Sequence, residues 1–224
     1  MSKRKTVVAA APPQAEREAR PSAEREARQP VEAIRAAAFT QFAERGYPVV
    51  TVRDIMKACG LTQGALYNHF KSKDELLHDI ITSTQAELER ICLQAVGEAG
   101  DDPRAQLAAF VRVYVIRHCR LRIEALVANR EIGWLDADRV SDIRRSRRAI
   151  RDILVAVLTR GIDKGVFDPP EIDGRHDLKA MAMALLDQCT HVSMWYIPGR
   201  RLNEEQMATL YAEMALRSVG AAKK

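Results

Sequence analysis

Apolar residues recur at intervals of three and four along most of the chain, and that spacing divides it into helices. Val31, Ile34, Ala38 and Phe42 form one inward stripe, which predicts a helix opened by Pro30 and running to about Arg45, where Gly46-Tyr47-Pro48 ends it. Val52, Ile55 and Met56 repeat the spacing over a much shorter helix capped by Thr51. Gly60 supplies the positive φ of a sharp turn, and Leu61 is placed to plug the gap between two steeply crossing helices. Thr62 then caps another short helix with Ala65, Leu66 and Phe70 inward. A long helix follows from Lys73 to about Val96, carrying Leu76, Leu77, Ile80, Ile81, Leu88, Ile91 and Val96, and Gly97 to Pro103 breaks it. Beyond it, helices are expected over 104–117, 121–130, 137–163, 175–196 and 204–219. They are divided by Gly133, Gly161/Gly165, Pro169-Pro170 and Pro198-Gly199. No stretch alternates long enough to argue for a strand, so the expected fold class is all-α. It comprises a small N-terminal domain over 30–77 and a larger helical domain over 78–219, with tails at 1–29 and 220–224.

The small domain carries the chemistry. In the helix that begins at Thr62, the residues Gln63, Gly64, Tyr67 and Asn68 lie away from the apolar positions, which is the face a recognition helix presents to a major groove. Thr62, Gln63 and Asn68 are suited to base edges, Tyr67 and His69 to phosphate oxygens, and Gly64 lets the backbone come close. Lys71-Ser72-Lys73 opens the next helix, whose free N–H groups and positive dipole end favour an anion, so Lys73 is assigned to phosphate. The candidate contact set is Thr51, Thr62, Gln63, Gly64, Ala65, Tyr67, Asn68, His69 and Lys73. Caps and glycine turns occur in any three-helix domain. Here caps, turn, plug and basic helix start all fall between Thr51 and Leu77, and together they define a helix-turn-helix reader of double-stranded DNA.

Residues 31–77, VEAIRAAAFTQFAERGYPVVTVRDIMKACGLTQGALYNHFKSKDELL, resemble the amino-terminal domain of the TetR family of bacterial transcriptional regulators. Phe39 and Phe42 with Gly46-Tyr47 resemble the end of that family's first helix, Thr51 to Ile55 its second, and Leu66 to Lys73 its recognition helix and the start of its fourth. The resemblance implies a two-domain homodimer on a palindromic operator, usually released when a small molecule enters the larger domain. It also implies that the last two helices form a four-helix-bundle dimer interface, for which Leu186, Thr190, Met194, Met207, Leu210, Tyr211 and Met214 are the candidates. Small residues Ala182, Ala184, Ala208 and Ala212 would allow the facing helix close approach. Asn129-Arg130-Glu131-Ile132, the arginine-rich helix after it, and Gly161 to Phe167 resemble members that sense acyl-CoA esters.

Charge adds a second candidate site. Between Arg139 and Arg151 there are six arginines, Arg139, Arg144, Arg145, Arg147, Arg148 and Arg151, against Asp142 alone, while Val140, Ile143, Ile150, Leu154 and Val157 take the apolar stripe. One reading is an anion site for the phosphates of a coenzyme A thioester, to which guanidinium forks are suited. The other is a solvated face paired with Asp136, Asp138 and Asp152. Arg130, Arg144, Arg148 and Trp195 are the candidate effector contacts, although Trp195 and Tyr196 also suit a core or an interface.

Composition narrows the function classes. The net charge of +5 over 224 residues is modest for a nucleic-acid binder. Residues 1–28 hold seven Lys or Arg against four Glu, with a duplicated Ala-Glu-Arg-Glu-Ala-Arg at 15–20 and 23–28. That segment reads either as a solubilising disordered tail or as an arm tracking phosphates. There is no run of about 18 apolar residues and no signal-peptide core, so a cytoplasmic protein without membrane contact is expected. Cys59, Cys92, Cys119 and Cys189 are far apart and His118, His176 and His191 stand alone, so neither disulfides nor a metal site is indicated. No nucleophile with a base, paired carboxylates or phosphate loop argues for an enzyme. The expected function is a repressor released by a small-molecule effector, with acyl-CoA leading and no fixed cofactor. The alternatives are an effector-independent DNA-binding protein and an activator.

Overall fold

The computed structural model describes the backbone from Ala15 to Ala221 and the side chains from Pro30 to Ala221. The expected tails at 1–29 and 220–224 therefore lie partly outside the described residues. The elements are α1 (Ala15–Arg45), α2 (Val52–Ala58), α3 (Gln63–Tyr67), α4 (Lys73–Glu98), α5 (Pro103–Arg120), α6 (Arg122–Arg130), a 3₁₀ turn (Glu131–Trp134), α7 (Ala137–Asp163), α8 (Leu178–Trp195) and α9 (Glu204–Ser218). No strand occurs among the described residues, and no helix there is long and apolar enough to cross a membrane. The helix boundaries follow the apolar periodicity closely from α2 onward. At α1 they do not, because the helix begins at Ala15 and passes through Pro30 instead of starting there. The Ala-Glu-Arg repeat upstream is rich in strong helix formers, which offsets the one N–H that Pro30 lacks.

Two cores form. The first gathers Ile34, Ala38 and Phe42 of α1, Ile55 and Met56 of α2, Leu66 of α3 and Leu76, Leu77, Ile80 and Ile81 of α4. Phe42 and Tyr47 pack with ring centroids 5.1 Å apart, and Leu61 plugs the α2–α3 crossing as expected. Val127, Ala128, Leu135 and Ile143, all from the larger domain, complete this core. Arg35 fixes α1 to α4 through Nε and Nη2, which donate to the two carboxylate oxygens of Asp79 at 2.7 and 3.0 Å. The second core joins Leu88, Cys92 and Val96 of α4 to apolar faces of α5, α7, α8 and α9. α5 lies at its centre and packs most extensively against α9.

The chain reverses tightly after α7. Val166 and Phe167 donate their N–H groups back to Gly161 O at 2.9 and 3.1 Å, which folds the Phe167 ring onto the last turn of the helix. A Cβ at Gly161 would lie 1.8 Å from Phe167 Cδ2, so only glycine admits the ring there. Gly161→Ala is expected to force this buried ring out of place and lower stability by about 1–3 kcal/mol, the usual range for overpacking. Urea unfolding of wild type and variant reads the difference.

Candidate nucleic-acid interface and effector chamber

Capping decides where the short helices α2 and α3 begin. Asp54 N donates to Thr51 Oγ1 at 3.2 Å while Thr51 N donates to Asp54 Oδ2 at 2.9 Å, a reciprocal capping box. These bonds from Thr51 hold the Asp54 carboxyl below its usual range. Because the Thr51 hydroxyl also donates to Asp54 Oδ2, it serves its own helix first. Thr62, at the head of α3, makes no side-chain cap bond, so its hydroxyl is available to a partner. Gly60 between the helices has φ +71°. Leu66 and Phe70 anchor α3 in the first core, with Ala65 partly buried beside them. Thr62, Gln63, Gly64, Tyr67, Asn68 and His69 remain exposed around it, with Tyr67 59% exposed. A bulky aromatic and two carboxamides are thereby left in solvent on α3 and its C-cap.

Lys73 departs from the phosphate assignment. Its Nζ donates to Tyr47 O and Val50 O, both at 2.9 Å, and sits 4.1 Å from the Tyr47 ring centroid. Burial lowers its pKa, and two of its three donors are committed to the loop between α1 and α2. Lys73 therefore clamps that loop to α4. Tyr47 completes the clamp by donating its hydroxyl to Asp74. Ser72 caps α4 by accepting from Glu75 N at 3.1 Å. Exposed cations close to α2 and α3 include Arg53, Lys57 and Lys71, with Arg45 paired to Asp54 at 3.6 Å. Arg53 and Lys57 stand four apart on the outward side of α2. That spacing, visible in the sequence, puts both on one face of the helix.

A cavity of about 320 Å³ opens among α4, α5, α6, α7 and α8, within the range of small-molecule sites. Leu88, Leu121, Ala125, Ala128, Ile150, Met183 and Leu186 supply apolar wall, and Arg117, Arg147, Arg148 and Arg151 supply cationic groups, with Glu124 and Asp187 among them. Arg147 is half-buried, and burial lowers its pKa. Its Nη2 donates to Ala128 O at 2.9 Å and Asn129 Oδ1 at 3.2 Å, tying α7 to the end of α6. Arg151 is held by Asp152. Arg148 makes no hydrogen bond among the described residues. Of the expected effector contacts, only Arg148 lines the cavity. Arg144 lies on the same helix but turned to solvent, Arg130 is exposed at the end of α6, and Trp195 is 55% exposed at the end of α8. The competing reading of the arginine run also holds in part, since Arg139, Arg145 and Arg151 pair with Asp136, Asp142 and Asp152.

The expected interface residues separate three ways. Met194, Leu210 and Met214 are exposed, and with Trp195 they leave an unusual amount of apolar side chain on α8 and α9 in solvent. Met207 is buried and Tyr211 packs against the second core. Leu186 and Thr190 face the cavity, where Thr190 Oγ1 lies 2.9 Å from Tyr114 Oη. Helical spacing alone could not distinguish these faces, because both sides of α8 are apolar. Ala182, Ala208 and Ala212 are likewise core residues, leaving Ala184 as the exposed small residue of that group.

Comparison with known proteins agrees with this architecture. The family model of bacterial regulatory proteins of the tetR family matches residues 34–80, and that of the tetracyclin repressor-like C-terminal domain matches residues 100–219, more than half of the chain. The chain belongs to the TetR family of bacterial transcriptional regulators and is a helix-turn-helix DNA-binding protein. It is 30% identical over 196 residues to the HTH-type transcriptional repressor KstR2 of Mycobacterium tuberculosis, spanning 80% of this chain and 87% of that one. A tetR-family regulatory protein from Rhodococcus RHA1 superposes with a TM-score of 0.75 at 29% identity over 87% of this chain and 99% of that one. AibR, solved in complex with isovaleryl coenzyme A and operator DNA, shares the fold with a TM-score of 0.73 at 22% identity, over 87% of this chain and 100% of that one.

Lys73→Met is expected to loosen the loop clamp and lower the unfolding temperature while leaving the salt dependence of operator binding nearly unchanged. Arg53→Ala and Lys71→Ala should each reduce the log–log salt slope by about 1. Fluorescence anisotropy on operator DNA over a salt series, beside thermal unfolding, separates the two kinds of residue.

Proposed function

We propose that this chain is a homodimeric repressor that leaves its operator when an amphipathic anion, an acyl-CoA ester foremost, enters the cavity. One observation carries the reading: the cavity combines an apolar interior with arginines, and α4 forms one of its walls. Arg148 has its donors unspent among the described residues, and Arg117 is only loosely held, its Nη2 donating to Thr84 O at 3.5 Å. Guanidinium forks of this kind suit the pyrophosphate of coenzyme A, and the apolar interior suits the acyl group. The isovaleryl coenzyme A bound in AibR supports the same chemistry in a protein of this fold.

In the dimer, Met194, Leu210 and Met214 would be covered by a second copy, and each recognition helix would read one half-site about one DNA turn, roughly 34–36 Å, from the other. Gln63, Thr62 and Asn68 read bases in this arrangement, and Tyr67 and His69 hold phosphates. The effector acts by favouring the state whose spacing misses the operator. Its leverage equals its difference in affinity for the two states, typically about 1–3 kcal/mol.

Octanoyl-CoA is expected to release the operator and octanoate to leave it bound, as read by anisotropy. Equal release by both would exclude the coenzyme reading. Arg148→Ala combined with Arg117→Ala should raise the ester concentration needed for release about tenfold, as loss of charge-assisted hydrogen bonds implies. Met214→Glu should shift the protein to a monomer in sedimentation velocity and weaken operator binding. A dimer of undiminished strength would place the interface elsewhere.

A further inference from the structure

His118 stands in this cavity as a buried polar group with half of its hydrogen bonding unspent. It is 7% exposed and packed flat against Tyr114, with ring centroids 4.4 Å apart and planes 14° from parallel. Its Nδ1 lies 2.8 Å from Tyr114 O. A carbonyl oxygen only accepts, so Nδ1 carries the proton and Nε2 carries a lone pair. Burial pushes the imidazole pKa down to about 4, so the ring is neutral at pH 7 and that tautomer persists. Nε2 finds no partner among the described residues. Because Nδ1 is turned back onto its own helix, the ring presents Nε2 to the cavity that its side chain lines. Gln85 of α4 also lines the cavity, 8% exposed, with its carboxamide unpartnered among the described residues. A ligand that fills the cavity takes both groups away from solvent, and an acceptor and a carboxamide lining one cavity match a group that both donates and accepts.

We infer that the apolar part of the effector carries a hydroxyl group, which donates to His118 Nε2 and pairs with the Gln85 carboxamide. This rests on the proposed role of the cavity as the effector site, and it adds the element that selects among apolar ligands. A site built to bond a hydroxyl discriminates strongly against the analogue that lacks it, because the analogue leaves His118 and Gln85 buried and unpaired. The hydroxyl also gives the ligand a direct hold on α4.

Two ligand pairs test the inference on the full-length protein. Titration calorimetry should find 3-hydroxyoctanoyl-CoA binding about tenfold or more tightly than octanoyl-CoA, the ratio expected when buried polar partners are satisfied. His118→Phe should abolish that difference. Cyclohexanol and methylcyclohexane, similar in shape and without phosphates, probe the apolar interior alone. Cyclohexanol should raise the unfolding temperature of the wild type and methylcyclohexane should do so less. Equal effects of this second pair would overturn the inference whether or not the esters bind. Failure of both esters together with a retained cyclohexanol preference would sink the coenzyme reading and leave the hydroxyl site standing. A preference that survives in both His118→Phe and Gln85→Leu would also overturn it.

Discussion

The structure depends on one helix belonging to two cores. The first turns of α4 place Leu76, Leu77, Ile80 and Ile81 in the core of the reading head, and its later turns place Leu88, Cys92 and Val96 in the core of the larger domain. At about 1.5 Å per residue, its 26 residues form a strut of roughly 39 Å. No proline interrupts it. A rigid rod pinned at both ends cannot shift at one end without a response at the other, since packed interiors do not deform continuously. The Arg35–Asp79 pair and the Lys73 clamp act on the same end, holding α1 and the α1–α2 loop to the rod. The orientation of α3 is thereby referred back to the larger domain.

A second mechanical connection runs beside the rod. α6, the end of the 3₁₀ turn and the start of α7 give Val127, Ala128, Leu135 and Ile143 to the head, while Ala125, Ala128, Asn129, Arg147 and Arg148 line the cavity. Ala128 is in both sets, and Arg147 grips its carbonyl. Any occupant that moved Arg147 would therefore press on residues packed directly beneath the reading head. The cavity wall and the floor of the head are the same few turns of helix.

The reading head was legible in the sequence because its determinants are local. Thr51, Gly60, Leu61 and Thr62 act on neighbours within a few residues, and a cap or a positive φ can be recognised from spacing. The loop clamp of Lys73 was not legible, because its partners, Tyr47 O and Val50 O, come from a loop more than twenty residues away. The effector candidates were only partly legible for a related reason. Arg144 and Arg148 share a face one turn apart in a single run, and which of them meets the cavity depends on how far along α7 the cavity begins, which spacing does not reveal. Thr190 and Leu186 met the same fate on α8, whose two apolar faces serve different purposes. His118 stands alone in the sequence, as an ordinary core histidine does. Its packing fits that description, and only the unspent nitrogen beside a cavity sets it apart.

The shared core has a meaning for modularity. Regulators of this kind invite the exchange of one reading head for another by recombination at the chain boundary near residue 77. In this molecule such a cut would carry away Ile34, Phe42 and Leu66 without Val127, Leu135 and Ile143, which cover them, and would strand an apolar face on each fragment. A workable graft would have to transplant the end of α6, the 3₁₀ turn and the opening of α7 together with the head. The unit that could be inherited whole is discontinuous in the chain, and the seam visible in the sequence is not a seam in the fold.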